Sequence, residues 1–298
     1  MSNPIIIEPT FGLANRLMAL ASAIRMSKEC DRELHICWKS DYCFTPTFDT
    51  LFQPISFKFV TDAKDDVVDM SETITDYVLR DIPEYTFLLK RCHFFCYGRP
   101  YDDWSDCIRQ YINPVQSLLE KINSVTRQFS SKTIGVHIRK GDKLTGLDWR
   151  GEGIVDRNEV DRIDDRYIDI MKQILEKDPS VKFFVATEDL TIDRLRVIFK
   201  DKIVFFFKKY NRIFPDHSKQ DEVDRCTQAI QDAVVDLWCL SKCSYILRGL
   251  GTFGMFAAAI NNTKSANIFS PDLISFTGVY KDVRWNSLAD TKEIVSRI

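Results

Sequence analysis

The chain has 298 residues, 45% of them hydrophobic, and a formal net charge of −2. That length suits two globular domains with cores of their own, and the near-zero balance excludes a nucleic-acid coat or a polybasic membrane anchor, so any anion site is local. No run approaches the roughly 18 consecutive apolar residues of a membrane helix, and Met1-Ser2-Asn3-Pro4 lacks the basic-then-apolar start of a secretory signal. A soluble, cytoplasmic protein is expected. Nine cysteines are scattered without a C-x-x-C pair, so zinc is not expected. Cys226 and Cys239 fall in apolar patterns and read as small buried hydrophobes.

Strands alternate with helices along the chain, the pattern of layered α/β domains. Ile5-Ile6-Ile7 is a first short strand, followed by a turn at Glu8–Leu13 and a helix over Ala14–Glu29. Leu17, Leu20, Ala21 and Ile24 give that helix its apolar face. Leu34–Trp38, Ile55–Val60 and Cys92–Tyr97 read as further strands, and the acidic stretch Thr61–Glu72 reads as exposed. Asn113-Pro114, a capping residue before a first-turn proline, predicts a helix start. Its buried stripe is Val115, Leu118, Leu119, Ile122 and Val125, and it ends near Ser130-Ser131. A domain boundary is expected there, giving domains 1–130 and 131–298, with the last helix or tail free to cross back.

The second half predicts strand Thr133–Ile138, a long polar loop, and a helix around Arg166–Lys177. Strand Val181–Ala186, helix Thr191–Phe199 and strand Ile203–Phe207 follow. A long helix over Gln220–Leu240, strand Tyr245–Leu247, helix Phe253–Ile260 and strand Ala266–Phe269 complete a Rossmann-like domain with a parallel sheet.

Four places carry chemistry. The apolar run Thr133–Val136 leads directly into His137, Arg139, Asp142 and Lys143. Charge at the carboxyl edge of a buried strand is where open α/β sheets bind ligands. The guanidinium of Arg139 suits phosphate, because it offers paired donors and stays charged. Asp142 can orient it or accept a proton; an exposed charged turn is the competing reading. The next loop, Leu144–Asp161, holds three glycines with Trp149, Asp148 and Glu152. Loops longer than about 12–15 residues in a compact domain are mostly functional or disordered, so a substrate lid and a plain insertion both fit.

Gly249–Gly254 is a glycine-rich turn ahead of a helix. Free N–H groups and the helix dipole make such a turn a phosphate site; steric need for glycine explains it equally. Arg248 adds charge nearby. Phe183–Asp189 is an apolar strand ending in Glu188 and Asp189, which can accept hydrogen bonds from a base or ribose or cap the next helix.

In combination these segments resemble the fucosyltransferase superfamily. His137-Ile138-Arg139-Lys140-Gly141-Asp142 is similar to its H-x-R-[RK]-x-D motif, and Val185-Ala186-Thr187-Glu188-Asp189 to its A-T-[DE]-D segment. Asp236-Leu237 through Ser241 and on to Thr252-Phe253 resembles its third motif, and Gly12-Leu13-Ala14-Asn15-Arg16 its G-x-x-N-[RQ] turn. The resemblance spans residues 5–260 in the family's order.

It implies a GT-B fold, two Rossmann-like domains facing a cleft. It also implies inverting, metal-independent transfer of fucose from GDP-fucose to a hydroxyl of a glycan acceptor. No D-x-D triplet occurs in the chain, so the usual carboxylate site for a nucleotide-bound cation is missing and no cofactor is expected. The implied donor contacts are His137, Arg139, Lys143, Glu188, Asp189, Gly251, Thr252 and Phe253, with Gly12, Asn15 and Arg16 from the first domain. The catalytic set is Arg139 with one base among Asp148, Asp142 and Glu8. In α1,6-fucosyltransferases a glutamate lies ten residues past the motif histidine; here that position is Leu147, and Asp148 follows. Gly254 stands where a serine often does. Another donor, such as UDP-xylose or a different GDP-sugar, and a non-catalytic nucleotide- or glycan-binding module are the competing readings. Without a membrane anchor, the expected setting is a bacterial or virus-infected cytoplasm.

Overall fold

The structure, a computed structural model, describes residues 3–40, 44–62, 67–69, 85–91, 102–138, 157–187, 191–208, 227–248, 252–261, 268–269 and 295–296. These form two parallel sheets and seven α-helices among the described residues. The chain packs as two units, Met1–Leu119 with Arg225–Val234, and Glu120–Asp224 with Val235–Ile298. Residues 120–130, assigned to the first half on sequence, thus group with the second unit.

In the first unit, β1 (Ile5–Pro9), β2 (Leu34–Ile36), β3 (Lys58–Phe59), β4 (Val67–Asp69) and β5 (Thr86–Arg91) form one sheet in the order β3-β2-β1-β5-β4. All its pairings are parallel. The strand order reverses between β1 and β5. The helix α1 (Leu13–Glu29) packs on β1, β2 and β5 with Leu17, Leu20, Ala21 and Ile24 fully buried, as their spacing predicts. Alanine, leucine and methionine dominate it, and all three favour helix. The helix α2 (Asp102–Tyr111) packs against α1.

Two expectations for this half change, and a third lies outside the described residues. Val67–Asp69, expected in an exposed acidic stretch, is the strand β4, because it finds a parallel partner in β5. The strand beside β1 is Thr86–Arg91, while the expected Cys92–Tyr97 lies outside the described residues. Asn113-Pro114 does not open a helix. Pro114 forms an antiparallel bridge with Phe52, and Val115 N–H donates to Leu51 O at 3.0 Å. Those bonds hold the segment extended, so α3 (Gln116–Thr126) begins two residues later.

The second unit is built on β6 (Thr133–Ile138), β7 (Lys182–Thr187), β8 (Ile203–Phe205), β9 (Tyr245–Arg248) and β10 (Ile268–Phe269), all parallel, in the order β10-β9-β6-β7-β8. The chain lays down β6, β7 and β8 outward, then returns to the other side of β6. The remaining helices are α4 (Arg157–Lys177), α5 (Thr191–Phe199), α6 (Thr227–Leu240) and α7 (Thr252–Asn261). The division between the units falls inside α3 and α6. α4 starts nine residues before its expected position, so Arg157–Asp161 of the expected loop are helical; the rest of that loop lies outside the described residues. Near the chain end, Val295 packs against the core of the second unit, and Lys177 Nζ donates to Val295 O at 2.8 Å.

Every residue of β6 is buried, as expected of a continuous apolar run at the centre of a parallel sheet. Gly135 lets α6 approach it: a Cβ there would lie 2.9 Å from Leu240 Cδ2 and 3.3 Å from Cys243 Sγ. Cys239 and Cys243 are both buried, and burial pushes both thiols well above the ordinary range. Cys239 is therefore the small buried hydrophobe its pattern predicts. Among the described residues no helix is long and apolar enough to cross a membrane.

Candidate functional site

The topology alone selects one point on the second sheet. Where strand order reverses, the connections leave in opposite directions and open a crevice at the carboxyl ends of the strands. In this unit the reversal lies between β6 and β9. There His137 of β6 pairs in register with Arg248 of β9. Both are buried, His137 at 5% and Arg248 at 4% exposure. A histidine and an arginine thus end adjacent central strands side by side.

The helix α7 starts just after β9, with its first turn at this edge. The ring of Phe253 stacks on the His137 imidazole, with centroids 4.9 Å apart and planes at 28°. This stacking positions the amino end of α7, where the first N–H groups point out of the helix and form its positive dipole end. Tyr167 of α4 donates its hydroxyl to His137 O at 3.3 Å. The arrangement can hold an anion by charge and by backbone N–H donors together.

Gly254 has a steric reason. A Cβ on it would sit 2.5 Å from Arg248 Cβ, closer than side-chain carbons approach, so the first turn of α7 and the end of β9 fit only with glycine. Gly254→Ala should lower stability by about 1–3 kcal/mol, the usual cost of overpacking. A denaturation midpoint indistinguishable from wild type would contradict this.

Beside this point, β7 ends at Thr187, whose carbonyl accepts Lys208 Nζ at 2.9 Å. Lys208 also forms a largely buried ion pair with Asp236 of α6. Asp236 heads the third motif found in the sequence, so that motif's carboxylate is tied to the carboxyl edge of the same sheet. Its serine, Ser241, donates to Trp238 O at 2.8 Å at the end of α6.

The first unit carries its own group at the carboxyl edge of its sheet. Glu8 near the end of β1 pairs with Lys39 Nζ at 3.2 Å, and Lys39 pairs with Asp62 at 2.8 Å. The Asp62 hydrogen bond, with Glu8 adding to it against a lowering from burial, holds the Lys39 ammonium well above the ordinary lysine range. Arg16 is 0% exposed. Its Nε donates to Phe11 O at 2.7 Å and its Nη1 to Lys39 O at 2.8 Å, and the guanidinium lies over the Phe44 ring at 4.5 Å. Gly12 is exposed and Asn15 half-buried at the start of α1.

Of the residues singled out on sequence, the structure therefore brings His137, Thr252 and Phe253 together in one unit and Glu8, Gly12, Asn15 and Arg16 together in the other. Arg139, Asp142, Lys143, Asp148, Glu188, Asp189 and Gly251 lie outside the described residues. Lys208 is an addition, and Arg248, read on sequence only as charge near the glycine-rich turn, gains a defined place. Arg248 follows an apolar Tyr-Ile-Leu strand much as Arg139 follows β6, but only its register with His137 places it at the reversal point. Among the described residues no three His, Cys, Asp or Glu side chains are grouped to hold a metal ion.

No protein-family model and no curated protein matches this sequence. Solved structures do match. NodZ α-1,6-fucosyltransferase soaked with GDP-fucose is 16% identical with a TM-score of 0.55, over 87% of this chain and 92% of that one; the Bradyrhizobium NodZ is 17% identical at 0.54, over 86% and 93%. A point mutant of Arabidopsis thaliana FUT1 in complex with GDP is 11% identical at 0.55, over 88% and 69%. POFUT1 in complex with GDP-fucose is 12% identical at 0.51, over 87% and 94%. Two parallel α/β sheets in this order, matched over most of the chain, give this protein the fold of these fucosyltransferases.

Proposed function

We propose that this chain is a glycosyltransferase that moves fucose from GDP-fucose to a hydroxyl of a glycan acceptor. The observation that carries the reading is the pairing of His137 with Arg248 at the strand-order reversal, under the amino end of α7. A nucleoside diphosphate is the anion that this edge suits. The sugar and the base come from the fold likeness: among the similar structures are fucosyltransferases holding GDP or GDP-fucose.

In this reading the arrangement is GT-B, with the donor on the second unit and the acceptor entering from the first. Transfer proceeds with inversion. A carboxylate among Asp148, Asp142 and Glu8 takes the proton of the acceptor hydroxyl as its oxygen attacks the anomeric carbon of fucose. The bond to the diphosphate breaks on the opposite face, and GDP leaves with its negative charge increased. Arg139 and Lys143, with the N–H groups of Gly251, Thr252 and Phe253, meet that charge without a metal ion; Arg248 adds a second guanidinium to the same edge. Preorganised donors of this kind supply the largest share of the stabilisation in many enzymes. His137, Glu188 and Asp189 surround the nucleoside. Gly12, Asn15 and Arg16 support the donor from the first unit, where Arg16 acts by holding the loops that carry Phe11 and Lys39.

A thermal-shift panel of GDP, GDP-fucose, UDP and UDP-xylose tests the donor. A ligand at 100-fold above its Kd stabilises the folded state by about 2.7 kcal/mol. GDP and GDP-fucose should raise Tm while the uridine nucleotides leave it unmoved. Stabilisation by UDP alone would overturn the fucose reading, and donor binding with neither transfer nor slow hydrolysis would favour a non-catalytic module.

A further inference from the structure

The turn between β1 and α1 holds a backbone conformation that its residue disfavours. Phe11 has φ 64°, in the left-handed region, which costs a residue with a Cβ about 1–2 kcal/mol. Asp31 and Lys200 also have positive φ. Each of those closes a helix, α1 or α5, where such a conformation is the usual ending. Phe11 ends nothing; it stands ahead of α1. Its neighbour Gly12, which could adopt a positive φ without strain, is extended instead, at φ −69° and ψ 168°.

The cause of the strain is visible. The buried guanidinium of Arg16 holds Phe11 O at 2.7 Å and Lys39 O at 2.8 Å, and is itself held against Phe44 and Trp38. One side chain therefore clamps two loops side by side. The result is an aromatic ring 52% exposed at the carboxyl edge of the first sheet. The same Arg16 ties the Phe11 backbone to that of Lys39, whose ammonium joins Glu8 and Asp62. Strain of this kind persists only where surroundings over-determine it, and it gathers at ligand sites.

We propose that Phe11 is the platform on which a sugar ring of the acceptor stacks, with Lys39, Asp62 and Glu8 bonding the ring's hydroxyls; the word acceptor rests on the transferase reading above. A pyranose has a face of C–H groups and a rim of hydroxyls, which match an exposed aromatic on a loop that Arg16 clamps to one carrying an ammonium paired with carboxylates. A purely apolar partner would cover those charges without bonding them. A nucleotide could also stack on the ring, but its phosphates would meet the carboxylates of Glu8 and Asp62, whereas a neutral sugar meets no repulsion.

The test compares the full chain with its Phe11→Gly and Phe11→Trp variants on an immobilised array of neutral oligosaccharides, with calorimetric titration of GDP in parallel. Glycine accepts a positive φ freely, so Phe11→Gly should keep or raise Tm. It should lose retention of the glycans that wild type holds, by roughly ten-fold or more for an aromatic anchor, while Phe11→Trp keeps it and all three bind GDP alike. Equal glycan retention by wild type and Phe11→Gly, or none by wild type, would overturn the platform. A loss of GDP affinity confined to Phe11→Gly would also overturn it, by putting the nucleoside there. If wild type retains glycans through Phe11 but binds no nucleotide, the transferase reading falls and the platform stands.

Discussion

Lys208→Met should lower the stability of the protein by about 3–5 kcal/mol, the usual effect of removing one partner of a buried ion pair. The Lys208 ammonium bonds both the Asp236 carboxylate and the Thr187 carbonyl, and the pair is largely shielded from water. Methionine keeps most of the stem but leaves the Asp236 charge without this counter-ion in a medium that solvates it poorly. Unfolding in urea, followed by circular dichroism, reads the change. The double variant Lys208→Met with Asp236→Leu should recover much of the loss, because replacing both partners by apolar groups is often close to neutral. A single variant as stable as wild type would refute the shielded-pair account. Since Thr187 ends β7, the single variant should also weaken GDP binding.

Arg139→Ala should reduce turnover by roughly 10²–10³-fold at saturating GDP-fucose, the range found when one preorganised donor to a developing negative charge is removed. Arg139 follows β6 directly in the chain, and β6 ends beside Arg248 at the point where strand order reverses. Arg139→Lys should fall between, since an ammonium keeps the charge but loses the paired donors that match two oxygens. Single-turnover rates with donor bound in advance isolate the chemical step. Turnover of Arg139→Ala within ten-fold of wild type, with Tm unchanged, would remove the clamp from the mechanism.

The elements legible in the sequence are those whose local pattern coincides with their final environment. Thr133–Ile138 carries an Ile-Val-Ile face, is buried on both faces and sits at the centre of its sheet. Thr191–Phe199 is a helix with the predicted ends. The misses come from partners far away in the chain. Val67–Asp69 looks like an acidic surface until β5 pairs with it, and Asn113-Pro114 looks like a helix cap until Phe52 holds it extended. For α2 the local signal is present: Trp104, Cys107, Ile108 and Tyr111 stand at helical spacing and lie within it. In the candidate site, His137, Thr252 and Phe253 were legible because each belongs to a short motif. Arg248 was legible only as charge near the glycine-rich turn, because its pairing with His137 depends on register, and Lys208 was not legible, because its role depends on a buried partner that no local window contains.

The membership of Arg225–Val234 in the first unit bears on how the chain folds as it is made. Gln231 Nε2 donates to Thr50 O at 3.1 Å, across a separation of 181 residues. Synthesis runs from the amino end, and domains generally fold as they emerge. Here the amino-terminal unit has to wait, its sheet available early but its last segment delivered only after β6, β7 and β8 of the other unit have been synthesised. The unit that begins first is thus finished late, and a ribosome stalled before residue 225 would carry a first unit with an exposed, unfilled face.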